Sequence, residues 1–346
     1  MPPWVPSAVN ASMPRSGIKM PEGQLPFFET SESVPINKDD DLRDASWLFG
    51  LTRLEGIGNR RALQIVQHFK SAEKLRVASE SEITSVVGKV KANFENLKAI
   101  EPVVDDDVSI TTYFDSDYPP GLRDLSDPPL ILWLRGIIPK QKSLSIVGTR
   151  NIDAWGRTTT RKLAHMAGEA GFAVVSGLAL GVDTEAHIGC LETTSPTVGI
   201  LACDVRFPTP KTNSKLANQI LDTGGCLIAE VPLGAQTEAH SLIARNRLQA
   251  AWSQGLLVTQ CGIPSGTLHT VRFALELKRT LVVLKPPNEA KGEQYEGTRN
   301  LTDDYGFDSR ILGGTKRFQE LNQGRARGAD VVIGSISEFE KYLHNV

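Results

Sequence analysis

The chain has 346 residues, of which 40% are apolar and 23% charged, with a net charge of −2. This is enough apolar material for a sizeable core in two or three units of roughly 100–200 residues. It excludes a polycation, so any nucleic-acid contact has to come from a local patch rather than from bulk attraction.

Residues 1–40 hold Pro2, Pro3, Pro6, Pro14, Pro21, Pro26 and Pro35 among Ser, Asn and charged residues. That composition buries little and breaks helices, and it predicts a disordered tail. Residues 41–105 predict a small helical domain of helix-hairpin-helix or SAM type. Trp47, Leu48, Leu51 and Leu54 recur at helical spacing, and Ala62, Ile65, Val66 and Phe69 form a second apolar face. Between them Gly56 and Gly58 punctuate a turn whose amides can face a phosphate, with Arg60 and Arg61 next in line. A plain helical hairpin needing a tight turn explains the same glycines. Residues 106–140 read as a connection with two Pro-Pro pairs, followed by a strand at Leu130–Leu134.

From residue 143 the pattern changes. The apolar runs SLSIV, AVVS, TVGILA, CLIAEV, GLLVT and TLVVL alternate with helical stretches at 158–170, 183–191, 213–221, 241–254 and 267–277. Apolar strands alternating with helices predict an α/β fold: an extended, Rossmann-like, mostly parallel sheet covered on both faces, over residues 106–346. Residues 288–327 are polar and predict a surface insertion, before a last strand and helix in GADVVIGSISEFEKYL.

In such sheets ligands bind at the carboxyl ends of the strands. Four segments fall there: Gly148, Thr149 and Arg150; Ser176 and Gly177, with Gly181, Asp183 and His187 beyond; Arg245, Asn246 and Arg247; and Ser265, Gly266 and Thr267. Glycines admit a close backbone approach, hydroxyls donate, helix N-termini favour anions and Arg forks grip phosphates. Together they predict a phosphate cradle. Ser265–Thr267 reads equally as a helix N-cap, and Asp183 with His187 reads as a loop tie rather than an acid–base pair. There is no GxxxxGK[ST] segment and no GxGxxG after the first strand, which speaks against a P-loop nucleotidase and against dinucleotide redox chemistry. Residues 141–287 carry 14 Lys and Arg against 10 Asp and Glu, so the sheet region holds the chain's basic excess.

Cys190, Cys203, Cys226 and Cys261 show neither CxxC nor Cys/His zinc spacing and read as buried thiols, with no metal and no cofactor. No signal peptide and no membrane-length apolar run is visible, and the expected compartment is the cytoplasm.

The ordered set SIVGTR with Arg157, VVSGLALGVDTEAH, ARNRL and SGTLHT resembles the DprA/Smf family, as do YPPGLRDLSDPPLILWLRG upstream and GADVV downstream. The resemblance covers roughly residues 42–346. It implies a homodimeric Rossmann-like protein that binds single-stranded DNA and helps load a RecA-type recombinase, with no bond-making chemistry. It further implies that Arg150 and Lys211 meet the DNA backbone with Phe207 as an aromatic partner, and that Arg245 and Arg247 occupy the family's Arg-Asn-Arg segment. Several positions depart from the family pattern: Leu180 stands for an Arg, Gln260 for a Glu and Pro286-Pro287 for a Pro-Gly, and the winged helix that many members append is not seen. A regulator or antitoxin in phage defence, paired with a cognate toxin or sensing a nucleotide, is the alternative these departures suggest. A phosphoribohydrolase-like enzyme using Glu185 is a third.

Overall fold

The computed structural model describes residues 41–235, 239–304, 307–314, 316, 319–320 and 327–346. The expected Pro-rich tail lies outside the described residues. Asp40–Val346 forms one compact unit.

Four short helices open it: α1 (Ala45–Thr52), α2 (Asn59–Phe69), α3 (Ala72–Val77) and α4 (Glu80–Val87). Side-chain caps set three of the starts, where Asp44, Ser71 and Ser79 accept backbone N–H bonds from the first turns of α1, α3 and α4. The apolar residues read from the sequence, among them Leu48, Leu51, Ile65 and Phe69, point inward. They join one hydrophobic cluster with Trp133, Leu201, Leu216 and Leu227 of the sheet region. The expected helical domain ending at residue 105 lies within this one compact unit: its helices pack on one another, and the shared cluster continues their apolar faces into the sheet region.

Nine strands form one sheet: β1 (Ser109–Thr112), β2 (Ile131–Gly136), β3 (Ser143–Val147), β4 (Ala173–Ser176), β5 (Thr197–Leu201), β6 (Cys226–Ala229), β7 (Gly255–Val258), β8 (Thr280–Leu284) and β9 (Val331–Ile333). Their order is β1-β2-β6-β5-β4-β3-β7-β8-β9. β1 and β2 run antiparallel, and all pairs from β6 to β9 run parallel. The strands from β3 to β8 are buried on both faces, as their unbroken apolar runs require, while the edge strand β9 is only partly buried. Helices α5 (Ala154–Glu169), α6 (Val182–Leu191), α7 (Ser214–Asp222), α8 (Ala239–Trp252), α9 (Gly266–Glu276), α10 (Glu296–Thr302) and α11 (Ile336–Asn345) complete the unit.

The structure departs from the expected plan in two more places. Residues 106–140 contain β1, which was not expected. The polar stretch 288–327 is anchored rather than a plain surface loop: Tyr295, Leu301 and Leu312 are buried, and the last two join the core beside β7 and β8. Among the described residues no helix is long and apolar enough to cross a membrane. All four cysteines are free and buried.

Candidate functional site

From β3 the chain crosses to β4, and from β7 it crosses to β8, in opposite directions along the sheet. Such a switch point opens a crevice at the carboxyl ends of the two strands. Here the crevice has a volume of about 540 Å³ and is walled by Gly148–Asn151 after β3, by one face of α8, and by Pro264–Thr267 at the start of α9.

The loop after β3 is braced on both sides. The Thr149 amide donates to the Gln260 carbonyl at 2.7 Å, and the Thr149 carbonyl accepts from the Val182 amide at 3.1 Å. A Cβ at Gly148 would stand 2.5 Å from Val182 Cγ2 and 2.6 Å from the Gln260 carbonyl oxygen, so the close approach requires glycine. Gly181, the N-cap of α6, has φ of 82°, the left-handed conformation that glycine adopts without strain. Arg150 stands exposed at the loop tip, and Asn151 beside it is also exposed.

Several expected site residues sit behind this surface instead of on it. Ser176 is fully buried, and its hydroxyl donates to the Ile146 carbonyl at 2.7 Å. Arg245 is 7% exposed and donates through Nη1 to the carbonyls of Gly177 at 2.7 Å and Ile200 at 2.8 Å. The Gly177 and Ala179 amides donate to the buried Asp183 carboxylate. Burial pushes the Asp183 carboxyl up, while the Arg245 charge and the amides beside it pull the other way. Burial likewise lowers the Arg245 guanidinium from its ordinary value. Arg247 is also 7% exposed, with Nη2 on both Glu230 oxygens and Nε 3.3 Å from Asp127. Both guanidiniums are committed inside the fold, so the expectation of direct phosphate contact does not match where they lie. They hold the loops that shape the crevice.

His187, read from the sequence as a structural tie, and Glu185, named for the enzyme alternative, both lie inside the fold. His187 is fully buried with Nδ1 2.7 Å from the Thr197 hydroxyl, and burial, with the Arg245 charge adding to it, pushes its imidazole down to about 3. Glu185 is buried and accepts from Arg157 at 2.9 Å.

The α9 start is open. Ser265 caps it, its hydroxyl accepting from the Thr267 amide at 3.2 Å, and a Cβ at Gly266 would meet nothing within 4 Å. Asn246 is 9% exposed and donates to the Gly266 carbonyl, which fixes that turn against α8. Phe207 and Lys211 lie in the loop after β5, on the same sheet edge, and both are exposed. This loop is tied to the crevice rim because Asn213 donates to the Leu178 carbonyl at 2.8 Å. Arg206 lies over the Phe207 ring at 5.3 Å and is held by Asp204 and Asp105.

The sequence reading missed Gln249. It lines the crevice from α8, at helical spacing with Leu242, Arg245 and Asn246, and is 2% exposed. Its Nε2 has no hydrogen-bond partner among the described residues, and neither does Nδ1 of His269 on the opposite wall. A buried donor left without a partner costs about 1–3 kcal/mol. Ile243, 46% exposed, adds apolar surface to the crevice lining, and Leu180, 47% exposed, follows the lining residue Ala179.

Residues 109–308 match the DNA recombination-mediator protein A family. The Smf protein of a Synechocystis strain is 30% identical over 274 residues, covering 74% of this chain and 68% of that one. The DprA protein of Bacillus subtilis is 32% identical over 165 residues, covering 47% and 55%. The chain thus spans about half the length of the B. subtilis relative. Among solved structures, DprA of Streptococcus pneumoniae aligns with a TM-score of 0.62 at 20% identity, covering 86% of this chain and 96% of that one. DprA of Helicobacter pylori, described with its own single-stranded DNA binding mode, aligns with a TM-score of 0.53 at 24% identity, covering 68% and 94%. These two likenesses concern the fold. Because the family match spans more than half of the sequence and a relative of 30% identity covers nearly three quarters of it, the chain belongs to the DNA recombination-mediator protein A (DprA/Smf) family.

Proposed function

We propose that the protein binds single-stranded DNA along the carboxyl edge of its sheet, without making or breaking bonds, and presents the strand to a RecA-type recombinase. The observation that carries this reading is the split among the basic residues of that edge. Arg245 and Arg247 are buried and hydrogen-bonded within the fold, whereas Arg150 and Lys211 stand exposed on the loops after β3 and β5, with the exposed Phe207 on the same loop as Lys211. Exposed cations neutralise phosphates, and an exposed aromatic ring can stack an unpaired base for about 1–3 kcal/mol. The open N-terminus of α9 adds amides that favour an anion. Family membership and the described DNA-binding mode of the H. pylori relative support the same ligand.

Fluorescence anisotropy of a labelled single-stranded oligonucleotide across a salt series tests it. We expect salt-sensitive binding that duplex fails to displace. Arg150→Ala and Lys211→Ala are each expected to weaken binding to all sequences and to reduce the salt slope by about 0.7. No binding at low salt, or unchanged binding in both variants, refutes the reading.

A further inference from the structure

Phe207 leaves 67% of its surface in solvent, yet the loop that carries it is tied at both ends. At the far end the buried Asn213 donates through Nδ2 to the Leu178 carbonyl at 2.8 Å and to the Thr184 hydroxyl at 2.9 Å. At the near end the buried Asp204 accepts through Oδ2 from the Gly234 amide at 2.7 Å, in the loop after β6. Between them the chain turns tightly, with the Phe207 amide donating to the Asp204 carbonyl at 3.0 Å.

Arg206 is the centre of this arrangement. Its guanidinium lies over the Phe207 ring, 5.3 Å from the centroid. Two carboxylates from different parts of the chain hold it there. Nη2 donates to Asp204 Oδ2 at 2.8 Å, Nε reaches both Asp204 oxygens at 3.2 and 3.3 Å, and Nη1 donates to Asp105 Oδ2 at 3.2 Å. The Arg206 amide also donates to Asp204 Oδ1 at 2.9 Å. Asp105 belongs to the connector before β1, where the Val108 amide donates back to the Asp105 carbonyl at 2.9 Å. One side chain thus joins that connector, the loop after β5 and the loop after β6.

One cation against two carboxylates leaves no positive charge over for a phosphate. Lys211, on the same loop, differs: it is exposed and makes no ion pair among the described residues. A guanidinium fixed against one face of a ring leaves the other face to a second flat group. A ring already held in place also loses less freedom when that group arrives.

We propose that Arg206 is a positioning residue: clamped by Asp204 and Asp105, it stacks against one face of Phe207 and holds the ring out, so that an unpaired base stacks on the other face while Lys211 and Arg150 take the phosphates. This rests on the DNA-binding reading above and deepens it by naming what fixes the base platform.

Anisotropy of a labelled oligothymidylate across a salt series tests it, with the wild type, Phe207→Ala, Arg206→Gln, Asp105→Asn and the double variant Arg206→Gln, Phe207→Ala, each checked for folding by its melting curve. Arg206→Gln should weaken binding about fivefold, the lower end of a lost base stack, with the salt slope unchanged because its charge is already committed. Asp105→Asn removes a negative charge from a DNA-binding edge, which by charge alone tightens binding; a loosened clamp instead weakens it about twofold. The Arg206→Gln loss should be absent where Phe207 is already Ala, since the two residues act as one unit. A salt slope that falls by about 0.7 in Arg206→Gln makes Arg206 a phosphate contact and overturns the proposal. Wild-type affinity in Arg206→Gln, tighter binding by Asp105→Asn, or an Arg206→Gln loss of the same size with and without Phe207 overturns it too. In each of these cases the DNA-binding reading stands. Asp105→Asn, at a half-exposed ion pair, decides the matter if Arg206→Gln does not fold. If the wild type binds no strand at low salt, the DNA-binding reading fails and this one with it.

Discussion

Replacing Arg245 with Leu separates a structural brace from a DNA ligand. In the folded protein its Nη1 serves two carbonyls, Gly177 at 2.7 Å and Ile200 at 2.8 Å, from a position 7% exposed. Leucine leaves both acceptors buried and removes the positive charge beside the buried Asp183 carboxyl. Each stranded acceptor costs about 1–3 kcal/mol. Loss of the Arg245 charge adds to this, because that charge favours the ionised form of the buried Asp183 carboxyl. The terms overlap, because Gly177 lies between the two charges, so the expected loss is about 3–5 kcal/mol rather than their sum. Equilibrium urea unfolding measures it. The double variant Arg245→Leu, Asp183→Asn should recover part of the loss, since the uncompensated carboxyl is then gone. A single variant that keeps its stability within about 0.5 kcal/mol but no longer binds DNA would show that Arg245 faces the ligand, and would refute the reasoning.

Other outcomes follow from the same geometry. Leu180→Arg, which restores the residue common in the family at an exposed position, should tighten single-strand binding and steepen its salt slope by about 0.7 in the anisotropy assay; an unchanged slope would place residue 180 off the strand path. Gly148→Ala should destabilise by about 1–3 kcal/mol in urea unfolding because its Cβ strikes Val182 and the Gln260 carbonyl, whereas Gly266→Ala should be close to neutral; equal effects would mean the loop after β3 is not tightly held. His187 stays neutral in the fold down to about pH 3, whereas the unfolded imidazole takes a proton near pH 6.5. Its contribution is therefore complete above pH 6.5 and declines toward pH 3, by at most about 1.4 kcal/mol per pH unit. The raised Asp183 carboxyl acts with opposite sign: its contribution is present below the unfolded carboxylate value and lost as pH rises above it. His187→Gln should flatten the acid-side decline in urea midpoints between pH 6.5 and 4, and an identical decline would exclude His187 as its source.

The parallel sheet was legible because each strand from β3 to β8 is buried on both faces and so reads as an apolar run between Gly-rich loops and amphipathic helices. The ends of those strands were legible for the same reason, and the crevice lies where strand order predicts it. β1 escaped notice because Ser109–Thr112 is a four-residue edge strand with three hydroxyl residues and only half its length buried. The anchoring of residues 288–327 escaped because a few apolar contacts, such as Leu301 and Leu312, hold a mostly polar segment. The Arg-Asn-Arg segment misled in a different way. An arginine looks the same in sequence whether its partner is a phosphate, a carboxylate or a carbonyl, and the partners of Arg245 and Arg247 lie far off in the chain at Glu230, Ile200, Gly177 and Asp127. Helical spacing on α8 held a signal for Gln249, since it shares a face with Leu242, Arg245 and Asn246, but nothing local says which face meets the crevice.

The two kinds of cation on this edge divide its work. A crevice that holds an anion needs loops that do not collapse when it is empty, and buried guanidiniums bonded to carbonyls (Arg245) and carboxylates (Arg247) supply that rigidity without offering charge to solvent. In the proposed function the cations that remain exposed, Arg150 and Lys211, set affinity and salt dependence with little effect on stability. Substitutions on the surface should move binding alone. Substitutions behind it should move stability first, and binding only through the shape of the loops after β3 and β4.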